Sequence, residues 1–145
     1  MDFNAYRQQF FAQPPPPPRF AFVGLHGLTL YFALFSEAVA YYQEVLGSPE
    51  YQEGDNTRGW RIGNTWLTLL QGSSGSPQNV EVMIAMQAPE QVERLHAAFA
   101  AAGGVVVTPP SKQIMYEPVH YSLVRDPFGT AILIFCPLPD RELAR

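Results

Sequence analysis

Hydrophobic and polar positions repeat in the same order twice along the chain, and the first copy occupies the N-terminal half. The segment 22–32, FVGLHGLTLYF, has the alternating pattern of a strand. The segment 36–47, SEAVAYYQEVLG, has apolar residues at helical spacing, with Ser36 expected as the N-cap and Gly47 as the stop. Short strands are predicted next over residues 49–54, 58–63 and 65–72, the last two joined by a tight hairpin turn.

The second copy starts after the loop GSSGSPQ. It has a strand at 80–86 and a helix at 89–103, where Pro89 suits the first turn and Gly103 ends the helix. Strands are then predicted over residues 104–110, 118–124 and 130–135. The pattern therefore gives two β-α-β-β-β units with a period of about 55 residues, and the expected fold class is α+β.

The chain divides into a leader, one domain and a short tail. Residues 1–19 form the leader, residues 20–138 the domain (module one 20–72, module two 79–138) and residues 139–145 the C-terminal tail. Aromatic residues recur at helical spacing in the leader, and the prolines at 14–18 favour a stiff extended spacer. The leader is expected either as a short helix that docks on this domain or on a second subunit, or as a frayed tail.

Composition narrows the partners and the compartment. The 145 residues include 9 Lys and Arg against 13 Asp and Glu, a formal net charge of -4, with no basic cluster to neutralise a phosphate backbone. No stretch approaches the roughly 20 apolar residues of a membrane span. The single cysteine, Cys136, cannot form a disulfide within the chain. We therefore expect a cytoplasmic protein that binds neither nucleic acid nor a membrane.

Three segments, together with the repeated modules, carry a resemblance to a known superfamily: EAVAYYQEVLG, APEQVERLHAAFAAAGG and RDPFGTAILI. They resemble the vicinal oxygen chelate superfamily, which includes glyoxalases, extradiol dioxygenases, and fosfomycin- and bleomycin-resistance proteins. The resemblance covers residues 22–138 and implies a curved mixed sheet around a cleft, helices on the outside and a homodimer. It does not fix an activity, because this fold hosts several unrelated chemistries and also simple binders.

Metal enzymes of this superfamily hold a divalent ion with side chains from the first and last strand of each module. The resemblance puts these positions at Gly27, Trp66, Glu81 and Leu133. Alternation along the first strand agrees, since apolar residues at 28, 30 and 32 leave the odd positions for the cleft. Only Glu81 could coordinate, whereas a catalytic zinc or a hard divalent ion needs at least three protein donors. Neither a metal nor another cofactor is therefore expected.

The remaining cleft positions follow from alternation and hairpin pairing. Arg61 is expected opposite Trp66, while Ser122 and His120 are expected opposite Leu133 and Phe135 across a turn at 126–129. The predicted ligand-binding residues are Thr29, Tyr31, Arg61, Trp66, Met83, Tyr116, Ser122, Leu133 and Phe135, and the predicted proton carriers are Glu81 and His120. Alternatively, Glu81 and Arg61 neutralise each other as a buried pair, and His120 only makes a hydrogen bond inside the sheet.

Three functions remain open. The first is a metal-independent binder of a small apolar or aromatic molecule, which is favoured over catalysis because the cleft is apolar and the metal-ligand pattern is missing. The second is a metal-independent lyase or isomerase in which Glu81 or His120 carries a proton. The third is a non-catalytic interaction module that engages a partner through the leader.

Overall fold

The computed structural model of the protein describes residues 2–19, 26–73 and 80–139. The start of the first predicted strand, most of the loop GSSGSPQ and the tail from residue 140 lie outside the described residues. The elements are α1 (Phe3–Phe10), β1 (Gly27–Phe32), α2 (Phe35–Leu46), β2 (Tyr51–Glu53), β3 (Thr57–Ile62), β4 (Thr65–Gln71), β5 (Glu81–Ala85), α3 (Pro89–Ala101), β6 (Val105–Met115), β7 (Glu117–Arg125) and β8 (Ala131–Pro137). The predicted element order of both modules is confirmed.

The strands of the described residues form two four-stranded sheets, ordered β1-β4-β3-β2 and β5-β8-β7-β6. In each sheet the first strand pairs parallel with the last strand, and the other pairs are antiparallel. The α+β class with two βαβββ modules is thus confirmed. The mixed sheet consists of two separately hydrogen-bonded halves, and β1 and β5 are edge strands of their sheets.

Both helices of the domain pack on one face of these sheets and share one hydrophobic core. α2 packs on β1 and β4, and α3 packs on β7 and β8. Leu30 and Phe32 of β1 belong to the same core cluster as Phe99 of α3. Full burial of each such side chain contributes about 1.5–3 kcal/mol, so this shared core holds the two modules together. None of the described helices has the length and apolar character needed to cross a bilayer.

The start of α2 differs from the expectation. The helix begins at Phe35 with Leu34 as its N-cap residue, and Leu34 makes no side-chain hydrogen bond there, so the prediction of Ser36 as the N-cap was wrong. Phe35 is buried in the core. Its burial accounts for the earlier start, because tertiary packing outweighs a local capping preference.

All three family-like segments meet at a contact that we call the module joint, formed by Tyr41, Tyr42, Phe99, Gly104 and Asp126. The Tyr42 hydroxyl donates to the Asp126 carboxylate at 2.7 Å, and the Tyr41 hydroxyl donates to the Phe99 carbonyl at 3.0 Å. A side chain at Gly104 would lie 2.7 Å from the Phe99 carbonyl oxygen and 2.9 Å from the Tyr41 hydroxyl. The joint therefore needs glycine at this position.

The carboxylate of Asp126 also organises the turn between β7 and β8. Its Oδ1 accepts hydrogen bonds from the backbone N–H groups of Phe128 at 2.9 Å and Thr130 at 2.7 Å. Burial, reinforced by Asp126, raises the pKa of Tyr42 well above its ordinary value, and burial raises the pKa of Tyr41 to about 12. The Asp-Pro-x-Gly segment thus acts as a structural joint between modules.

β6 is longer than expected and forms the outer edge of the second sheet. It continues through Pro109 and Pro110 to Met115, whereas the sequence predicted a strand at 104–110 and a loop at 114–118. An edge position tolerates these prolines because their missing N–H groups leave no gap between two central strands. Only Tyr116 remains between β6 and β7, with a left-handed φ of 64°.

Candidate functional site

The cleft face of each first strand is the one that alternation predicts. In β1, Leu30 and Phe32 are buried against the helices, while Thr29 and Tyr31 are exposed on the other face. In β5 the same alternation makes Val82 and Ile84 buried, and it exposes Glu81, Met83 and Ala85. Both strands therefore present the predicted residues to the cleft side.

A cavity of about 230 Å³ lies between these two edge strands. Three of the four positions implied by the resemblance line it, namely Gly27, Trp66 and Glu81, together with Met83. The fourth, Leu133, pairs with Met83 and lines a neighbouring cavity of about 150 Å³ with Phe135 and Tyr116. Met83 lines both cavities, which makes them neighbours on the cleft face.

The pairing between β7 and β8 is shifted by one residue from the expectation. Ser122 pairs with Ile134 and His120 with Cys136, whereas Leu133 and Phe135 pair with Leu123 and Tyr121. The connection spans residues 126–130, because the Thr130 carbonyl accepts from the Asp126 N–H at 2.9 Å and so belongs to the turn. A shift of one residue turns every side chain of a strand to the opposite face.

Ser122 and His120 therefore lie on the helix side, and their predicted position in the cleft was wrong. The Ser122 side chain is fully buried, and its hydroxyl has no partner among the described residues. The His120 Nε2 lies 3.2 Å from the Glu93 carboxylate of α3. The cleft instead receives Val119, Tyr121 and Leu123, and counting Thr130 as a turn residue would have identified them.

Arg61 and Trp66 lie on the same face of the sheet, as cross-strand pairing predicts, and their side chains stack on each other. The guanidinium carbon of Arg61 lies 4.1 Å from the centre of the Trp66 ring, and its Nε pairs with the Glu50 carboxylate at 3.2 Å. A Cβ added at Gly59 would lie 3.4 Å from Cε3 of the same ring, so Trp66 also lies against β3. The alternative Glu81–Arg61 pair does not form.

The loop candidate Tyr116 stands at the edge of the second cavity, 76% exposed. Its left-handed backbone is uncommon for a residue with a large side chain. The N–H of Tyr116 donates to the hydroxyl of Tyr6 in α1 at 3.4 Å. The helix predicted in the leader thus exists, and it touches the domain beside this cavity.

The predicted lack of a family-type metal site can be tested on the residues themselves. Trp66 and Leu133 carry no metal-binding atom, and a side chain at Gly27 would collide with the carbonyl oxygen of Trp66 and lie 2.9 Å from its amide nitrogen. Among the residues that the structure describes, no group of three or more His, Cys, Asp or Glu could hold an ion. The residues at these four positions do not fit the ion.

The comparison with known families agrees with the fold and the segments above. The family model described as "Glyoxalase/Bleomycin resistance protein/Dioxygenase superfamily" matches residues 24–134. The chain belongs to this superfamily. No curated protein matches the chain at a significant level.

Solved structures with the same fold are distant in sequence. A glyoxalase/bleomycin resistance protein from Albidiferax ferrireducens T118 has 20% identity and a TM-score of 0.67, covering 77% of this chain and 98% of its own. A glyoxalase/bleomycin resistance protein/dioxygenase family enzyme from Burkholderia phytofirmans PsJN has 18% identity and a TM-score of 0.65, covering 77% and 97%. A third, from Nocardioides, has 16% identity and a TM-score of 0.64, covering 93% and 92%. At these identities the likeness shows the fold alone.

Proposed function

We propose that the protein binds a small apolar or aromatic molecule in the cleft, without the metal ion of the superfamily's metal enzymes. The observation that carries this proposal is the cavity between β1 and β5, whose lining is mainly apolar and contains Glu81 as its one charged residue among those described. Concave, mostly apolar sites with a few polar groups are typical of small-molecule binding. The neighbouring cavity behind Met83 extends the apolar surface.

Tryptophan fluorescence tests this proposal, because Trp66 lines the cavity while Trp60 is buried in the core. A panel of hydrophobic metabolites and antibiotics is titrated against the protein and against Trp66→Phe, with thermal unfolding measured in parallel. We expect at least one compound to give a saturable signal that Trp66→Phe loses and to raise the Tm of the unmodified protein. No saturable response and no Tm shift across the panel would contradict binding.

A metal-independent lyase or isomerase is the second candidate, and it now depends on Glu81 alone. The observation in its favour is a carboxylate in an apolar cavity, with no hydrogen bond or ion pair to any described residue, which suits a proton carrier. His120 is no longer a candidate proton carrier because it contacts Glu93 on the helix side. Glu81→Gln should abolish any turnover found in a screen of carbonyl substrates, and unchanged turnover would exclude this mechanism.

A homodimer belongs to the same proposal, together with a cytoplasmic location. Tyr31 is 52% exposed and Met83 53% exposed on the open faces of the two sheets, and a second chain covering them would bury this apolar surface. Light scattering of the full chain and of a chain lacking residues 1–18 tests the oligomeric state. Two chains per particle in both cases would support the dimer and would show that the leader is not required for it.

A further inference from the structure

Among the described residues, acidic side chains line both cavities on the cleft side and basic ones line neither. Glu81 is the charged residue that lines the cavity between β1 and β5, and Glu117 is the one that lines the cavity around Leu133. Within the described residues, no Lys, Arg or His lines either cavity. An anionic ligand would therefore meet carboxylates and no cation in either cavity.

Two basic residues among those described share the cleft face, Arg61 of β3 and Arg125 of β7, and neither lines either of these cavities. Arg125 donates a hydrogen bond to the Gly129 carbonyl at 3.5 Å, and Arg61 is already neutralised. Its guanidinium is paired with Glu50 at 3.2 Å and stacked on the Trp66 ring. Releasing Arg61 to meet a ligand anion would break both contacts. It therefore shapes the wall and holds the Trp66 ring, and it does not supply a free positive charge.

Glu81, in contrast, has no partner among the described residues. Its neighbours in the cavity are mainly apolar, among them Trp66 and Met83, and the hydroxyl of the polar residue Thr65 donates to the Ile62 carbonyl at 2.8 Å. An ionised carboxylate beside apolar surface gains most from a ligand that brings a positive charge or a hydrogen-bond donor with it. The apolar lining would contact the body of such a ligand, and the Glu81 carboxylate would pair with its cationic or donor group.

Resting on the binding function proposed above, we infer that the cleft selects apolar amines over carboxylic acids of the same shape, with Glu81 as the counter-ion. The apolar body of the ligand lies along Met83 and the Trp66 side of the cavity. Because Glu81 is exposed, water and salt screen its charge. We therefore expect a preference of about tenfold for the amine over the neutral alcohol, a modest charge-assisted effect.

The experiment compares three probes that share one two-ring body: 1-naphthylmethylamine, 1-naphthalenemethanol and 1-naphthoic acid. Isothermal titration calorimetry at pH 7 and low salt gives the Kd of each for the full chain. The amine should bind about tenfold more tightly than the alcohol, with the acid weakest. Raising the salt concentration should narrow the difference between amine and acid.

Variants identify the responsible charge. Glu81→Gln should bring the amine to the affinity of the alcohol. Glu37→Gln makes the same charge change on the exposed surface of α2 and should keep the preference. Glu117→Gln tests the neighbouring cavity. It should change the ratio of amine affinity to alcohol affinity less than Glu81→Gln does.

Each outcome is decisive. Equal binding of amine and acid, tighter binding of the acid, or an amine preference that survives Glu81→Gln overturns the inference while the binding function stands. A preference lost equally in Glu37→Gln would also overturn it, because net charge alone would then explain the selectivity. Failure of all three probes to bind, the neutral alcohol included, would count against the binding function and would remove this inference with it.

Discussion

The module joint and the cleft belong to the same two modules, yet they use polar atoms in opposite ways. At the joint, the Asp126 carboxylate accepts three hydrogen bonds, from the Tyr42 hydroxyl and from two backbone N–H groups of its own turn. In the cleft, Glu81 and Glu117 have no partner among the described residues. Polar groups that are satisfied within the chain stabilise the fold, whereas those without partners remain available to a ligand.

This contrast separates the part of the resemblance that concerns the fold from the part that concerns chemistry. The segments that resemble the superfamily most, around Gly104 and Asp126, meet at the joint. The four positions at which its metal enzymes bind an ion contain Gly27, Trp66, Glu81 and Leu133 here. A chain can therefore keep the architecture of this superfamily without the ligands of its metal enzymes.

The largest effect is expected at the joint. Asp126→Ala would leave the Tyr42 hydroxyl and the N–H groups of Phe128 and Thr130 without their acceptor in a buried site, so we expect a loss of about 3 kcal/mol in the free energy of unfolding. Urea denaturation measures it. Tyr42→Phe removes one of the three bonds and should cost less. If both variants were as stable as the unmodified protein, the joint would not be a stabilising feature.

Gly27→Ala tests whether position 27 is merely a missing ligand or a site of close backbone approach. The added Cβ would collide with the Trp66 carbonyl oxygen, and the strands must shift to make room, so we expect a loss of about 2 kcal/mol. Gly63→Ala serves as a comparison, because no atom lies near its Cβ and only its left-handed backbone is strained. A Gly27→Ala protein of normal stability would mean that the position could accept a ligand side chain.

His96 gives a smaller, pH-dependent effect on the helix side. Burial lowers the pKa of this imidazole, and Glu93 opposes the shift only in part. An unfolded chain takes up a proton on this group near pH 6.5, before the folded chain does, so stability is retained above that pH and falls below it. His96→Leu should reduce the slope of unfolding free energy between about pH 6.5 and 5. An unchanged slope would assign the acid sensitivity to other groups.

Arg61 should have the smallest effect on stability. Its stacking on Trp66 is exposed, and such a contact contributes about 0.5–1 kcal/mol, while its pair with Glu50 adds little. Arg61→Ala should therefore change the urea midpoint slightly but alter the Trp66 fluorescence clearly. Glu50→Gln, which keeps the stacking, is the control. If Arg61→Ala lowered the free energy of unfolding by more than about 2 kcal/mol, Arg61 would be a residue that stabilises the fold, like those of the module joint.

Much of the fold was predictable from a local signal, the alternation of apolar and polar residues along a strand. Alternation along β1 and β5 predicted which side chains face the helices, since a half-buried strand repeats every two residues. It could not determine the register of β7 and β8. That register depends on hydrogen bonds of the Asp126 carboxylate to Phe128 and Thr130, and an alternating pattern carries no information about them.

The polar contacts of the site were harder to predict than which of its side chains face the cleft. The sequence predicted strands over 49–54 and 58–63 but not their register, and the pairing of Tyr51 with Gly59 between β2 and β3 brings Glu50 to 3.2 Å from Arg61. The contact between Tyr6 and Tyr116 joins residues that are 110 positions apart. The first pair depends on strand register and the second on tertiary packing, so spacing along the chain reveals neither of them.

The two prolines in β6 have a consequence for how copies of this chain meet in concentrated solution. β6 is the outermost strand of its sheet, and Val105, Val106 and Val107 at its start are all exposed. An uninterrupted edge of this kind could recruit strands from other molecules and grow into an aggregate. Pro109 and Pro110 have no N–H group to donate, so they interrupt the strand pairing that another molecule would need along this edge.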